Sequence, residues 1–90
     1  DIFKRDYDMM LDNYDREIKN YLSNIQYQTN DVVRRNQYMR AVEQDVMNYM
    51  NQLPAGQSEA FYENQYKNAV IKAEKDQEYI LTGVTKALGV

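Results

Sequence analysis

Aliphatic residues recur at every seventh position from Leu11, continuing through Ile18, Ile25, Val32, Met39, Val46 and Leu53. A companion row carries Tyr7, Tyr14, Tyr21, Val42 and Tyr49, interrupted only by Gln28 and Arg35. Alternating three- and four-residue spacing gives a helix stripe of period 3.5, and over this length it imposes a left-handed coiled-coil seam. Met10, Leu22, Tyr38 and Met50 flank the stripe and widen it beyond what a two-stranded coil needs, toward a bundle of three or four helices. Neither Gly nor Pro occurs before Pro54. The pattern therefore predicts one uninterrupted helix over about 2–52.

Leu53-Pro54-Ala55-Gly56-Gln57-Ser58 is the one cluster of helix breakers, and it predicts a turn over 53–58. Pro54 disfavours helical geometry at Leu53, and Gly56 tolerates positive φ. Ser58 is suited to cap a second helix whose first turns hold Glu59 and Glu63 near the positive end of the dipole. That helix is expected over about 59–88, with Gly83 as an interior weak point and Gly89 as its stop. Its seam residues are smaller: Tyr62, Tyr66, Ala69, Ala73, Ile80 and Ala87, with Val70, Gln77 and Val84 alongside. A short turn makes the two helices antiparallel neighbours. Folding them back pairs Tyr49 with Tyr62, Val42 with Ala69, Tyr38 with Ala73 and Val32 with Ile80, large against small. The same register sets Arg35 against Asp76 and Gln28 against Gly83, a polar layer that fixes register.

The expected fold is thus all-α, a single domain over 1–90 built as an antiparallel two-helix hairpin and completed by oligomeric helix packing. A first helix of about 50 residues spans roughly 75 Å and a second of about 30 residues roughly 45 Å. The longer helix overhangs, leaving Tyr7, Met10, Leu11, Tyr14, Ile18 and Tyr21 as a candidate interface with another copy or with a partner protein's helix. One layer of two helices buries too little surface to stand alone, and a staggered contact that does not close generates a filament.

Composition narrows the chemistry. The chain has no Cys and no His, which removes disulfides, zinc sites and the commonest nucleophile and base pairs. No cofactor, metal ligand set or catalytic group is expected. Arg35, Asp76 and Tyr38 could line a ligand site, but no nucleophile, base or metal ligand accompanies them. Asp8, Asp12 and Asp15 share a helix face without the glycine-centred loop that calcium requires, so solvated carboxylates are the expectation. A net charge of −3 and a pI near 4.8 argue against nucleic acid, and no apolar run is long enough to span a membrane. Nine tyrosines and five methionines supply adaptable apolar surface, of a kind enriched where helices or subunits meet.

A chain opening on Asp1 is expected to follow removal of a signal or pro-segment, or to be an excised piece, and an exported or virion-associated protein is the resulting expectation. In size and outline the hairpin is similar to bacterial secretion-needle subunits, although Leu53-Pro54-Ala55-Gly56 lacks their two-proline turn. The expected function is non-catalytic: a helical-hairpin subunit that self-associates into an oligomer or filament. The alternative is an adaptor or chaperone-like module whose exposed apolar stripe receives a partner's helix.

Overall fold

A computed structural model describes residues 2–27 and 29–83, with side chains from residue 5 onward. Three helices follow one another: α1 (Ile2–Ser23), α2 (Val32–Met50) and α3 (Glu59–Thr82). The described residues contain no strand. The all-α class holds, but the expected helix over 2–52 is two helices.

Short polar side chains make the break without glycine or proline. Ser23 Oγ donates to Lys19 O (2.8 Å) and Tyr27 Oη to Leu22 O (2.8 Å), so two carbonyls at the end of α1 find side-chain donors. Thr29 Oγ1 then accepts from Asp31 N (3.1 Å), and Asp31 Oδ1 accepts from Arg34 N (3.0 Å) as the N-cap of α2. These local bonds offer the backbone an alternative to helix continuation.

After the break α2 runs antiparallel to α1. Tyr7 Oη, near the start of α1, lies 2.8 Å from Met50 O and 2.7 Å from Leu53 O, so its single proton is shared between carbonyls at the end of α2. The second turn proceeds as expected: Gly56 adopts φ +84°, and Ser58 Oγ accepts from Phe61 N (3.1 Å) to start α3. Tyr62 Oη donates to Pro54 O, tying the first turn of α3 to the loop. The rings of Tyr7 and Tyr62 lie 6.1 Å apart, placing the starts of α1 and α3 side by side. The result is an up-down-up three-helix bundle whose longest dimension is 45 Å, well short of the ~75 Å rod a single first helix would make.

The core draws on all three helices: Leu11, Ile18 and Leu22 from α1, Tyr38, Val42, Val46 and Met50 from α2, and Tyr62, Tyr66, Ala69, Val70 and Ala73 from α3. Ile25, Met39, Leu53 and Ile80 pack half-buried against it. Two expected seam residues stay outside. Val32 begins α2 with 54% of its surface exposed, and Tyr49 turns outward so that its hydroxyl donates to Gln65. Tyr49 thus meets Gln65, and Asp45 meets Gln77, so α2 faces positions further along α3 than the expected pairing of Tyr49 with Tyr62.

Gly83 also differs from expectation. It closes α3 as a left-handed C-cap with φ +77°, and its N–H donates to Tyr79 O (2.9 Å). A Cβ there would meet Arg34 Nη1 at 3.1 Å, the tip of a flexible side chain that can yield, so it is the left-handed backbone that favours glycine. Gln28, Val84, Ala87, Leu88 and Gly89, to which the sequence assigned seam or stop positions, lie outside the described residues.

Candidate functional site

The fold relocates the candidate interface. Ile18 is 0% exposed and Leu11 8%, both buried by α2 and α3 of the same chain. The projecting overhang does not exist, because the break at 24–31 returns α1 onto its own bundle. Tyr7, Met10 and Tyr14 are half-buried against the core, and Tyr21 remains exposed with its hydroxyl 3.1 Å from Glu74 Oε2.

At the expected polar layer, Asp76 is engaged by Lys72 one turn back on α3 (2.7 Å). Gln77 Nε2 donates to Asp45 Oδ2 (2.7 Å), a polar link from α3 to α2 in addition to that of Tyr49 with Gln65. Arg35 is half-buried, and its charge acts on the Tyr27 hydroxyl.

Tyrosine rings form much of the contact between α1 and α3. Tyr14 stacks on Tyr66 with centroids 4.6 Å apart, and Tyr7 tilts against Tyr62. Burial pushes the Tyr66 hydroxyl up to about 12, and the Glu17 charge adds to the shift. Tyr14 is raised by burial and then by Glu17, Glu63 and Glu59. Such bulky rings hold two helices together with a furrow alongside. That furrow is a groove of about 470 Å³ lined by Met9, Met10, Tyr14 and Tyr62, with Asp6 and Glu17 contributed by α1 and Glu59 and Glu63 by α3. A second hollow of about 300 Å³ shares Asp6, Met10, Glu59 and Tyr62 and runs on to Tyr7 and Gly56. Met9 is 58% exposed at its edge.

The other flank of α1 holds a carboxyl pair. Asp15 and Glu43 meet between α1 and α2, in a groove with Asp8, Asp12 and Met47. Asp15 Oδ1 is buried and has no donor while both groups are ionised. A proton on Glu43 supplies one, which holds Glu43 above the usual carboxylate range and Asp15 below it. Lys19 engages Asp15 Oδ2 at 3.0 Å.

Among the described residues no group of three or more carboxylates is placed to hold a metal ion, and no helix is long and apolar enough to cross a membrane. No known protein family matches the chain, and neither a curated protein nor a solved structure shows significant similarity to it. Sequence reasoning named Tyr7, Met10 and Tyr14 but missed Met9 and the four rim carboxylates. Their juxtaposition depends on α3 lying beside α1, which a continuous first helix forbids.

Proposed function

We propose that this chain is a non-catalytic interaction module, a three-helix bundle whose α1–α3 groove receives a helix of a partner protein. The observation that carries the reading is the apolar floor of Met9, Met10, Tyr14 and Tyr62, left open after α1 has closed the rest of the stripe. Helix-in-groove recognition needs such a floor, and methionine adapts to varied side chains at low strain. The absence of His and Cys supports a non-catalytic role. The groove section from Asp6 to Glu17 is about 16 Å long, or three turns of a docked helix.

The other reading is self-assembly into an oligomer or filament. It draws on Val33 and Ile71, exposed on α2 and α3, and no longer on the buried Leu11 and Ile18. Light scattering over a wide concentration range separates the two. A constant monomer mass is expected. The same protein carrying labelled methionine methyls should then show shifts at Met9 and Met10, but not at Met39, when a neutral amphipathic helical peptide is added. Mass that grows with concentration, with silent methyls, would replace this reading by self-assembly.

A further inference from the structure

Resting on the groove reading, we infer that the occupant of the α1–α3 groove is a basic amphipathic helix of a partner protein. Asp6, Glu17, Glu59 and Glu63 all line the groove, and no described lining residue is cationic. Asp6, Glu17 and Glu59 form no ion pair with any described side chain. Of the cations on these helices, Lys67 is spent on Glu63 (3.4 Å) and Arg16 donates to Asn13 Oδ1 (2.9 Å). The carboxylates come from both helices, so they flank the methionine and tyrosine floor on its two sides. A docked helix with a narrow apolar stripe and Lys or Arg on each side of it matches that layout. A neutral or acidic helix would leave like charges opposed or carboxylates partly desolvated without a partner.

The groove on the other flank of α1 serves as an internal control. It is equally acidic, with Asp8, Asp12, Asp15 and Glu43, but Met47 and the buried Leu11 are its only apolar lining. Asp15 there is already engaged by Lys19. Attraction by charge alone would draw a cation to both grooves, whereas the floor selects the first.

The test uses the whole chain with labelled methionine methyls and three short helical peptides that share one leucine stripe. Their remaining positions are all Lys, all Gln or all Glu. The Lys peptide should bind tightest, should shift Met9 and Met10 while leaving Met47 in place, and should weaken as salt rises. Replacing Glu59→Gln together with Glu63→Gln, both at exposed positions, should weaken the Lys peptide by about three- to tenfold and leave the Gln peptide unchanged. If the Gln peptide binds as tightly as the Lys peptide at the same methyls, the groove stands and the charge inference fails. If no peptide moves Met9 or Met10, both fail. Shifts centred on Met47, or Met9 shifts that follow protein concentration alone, would overturn it in favour of non-specific charge attraction or a second copy.

Discussion

Asp15 and Glu43 give the bundle a pH response that follows from one shared proton. Glu43 is raised from its ordinary 4.5, first by the hydrogen bond to Asp15 and then by burial. A group raised in the fold contributes stability below its unfolded value and loses it as pH climbs through the folded one. Asp15 is lowered from 3.8 by the same bond and by Lys19, against the opposing effect of burial, so its contribution is present above 3.8 and lost as pH falls. The pair is therefore most favourable in mild acid, with Asp15 ionised and Glu43 protonated. As pH rises through the raised value Glu43 loses that proton, and the buried Oδ1 of Asp15 is left without a donor. Glu43→Gln supplies an amide donor at every pH. It should raise stability at pH 7 by no more than about 1 kcal/mol for a partly exposed site, read as a higher thermal midpoint, and change little in mild acid. A Gln variant that is equally destabilised at both pH values would show that no proton is shared.

The break between α1 and α2 is held by side-chain bonds of Ser23, Tyr27, Thr29 and Asp31, and the break between α2 and α3 by Gly56, Ser58 and Tyr62. Gly56 and Ser58 could be read directly, because positive φ and a capping hydroxyl are properties of single residues. The segment 24–31 could not be read that way, because the seven-residue row runs through it intact as Ile18, Ile25 and Val32. Hydrophobic period tells which face of a helix is apolar; it does not tell whether the helix continues. Once α2 restarts at Val32, its core becomes Tyr38, Val42, Val46 and Met50, and Val32 and Tyr49, one from each seven-residue row, are turned away. The apolar core residues were thus largely legible, while the partners they meet were not, and the α1–α3 groove is a product of those partners. Thr29-Asn30-Asp31 is the signal that was available, three residues suited to capping ahead of an apolar run. Replacing all three by Ala removes the Thr29 and Asp31 bonds, at about 0.5–2 kcal/mol for the N-cap alone, and favours helix throughout. The expected product is the long helix of the original pattern. Its α1 would then pack on another copy's α2 and α3, a swapped dimer that light scattering would detect as doubled mass. A monomer with unchanged helicity would mean that packing of Ile18 and Leu22, rather than the cap, dictates the break.

At the scale of the whole molecule the tyrosines couple α1 to the rest of the fold, so their ionisation reports on integrity. Tyr7, Tyr14 and Tyr21 on α1, Tyr27 in the break, Tyr38 on α2 and Tyr66 on α3 are all raised above 10.0, each chiefly by burial. A raised folded value means that the protonated hydroxyl favours the fold. The contribution is complete below about pH 10 and is lost as pH rises through the folded values, which for Tyr66 is about 12. Carboxylates sharpen the effect: Glu17 acts on Tyr14 and Tyr66, and Glu74 on Tyr21, Tyr27 and Tyr38, so each phenolate would form beside an existing negative charge. Tyr7 adds a mechanical consequence, since its proton ties the start of α1 to Met50 O and Leu53 O, and a phenolate there would face two carbonyl oxygens. Tyrosinate absorbance and helical ellipticity followed together against pH should therefore be coupled for the raised rings. Tyr7, Tyr14, Tyr38 and Tyr66 should ionise above the usual tyrosine range and in one step with loss of helix, because releasing α1 uncovers Val42, Val46 and the others at once. A single broad titration near pH 10 with helix retained would mean that the ring contacts between α1 and α3 open freely in solution, and the groove built on them would not persist as a binding surface.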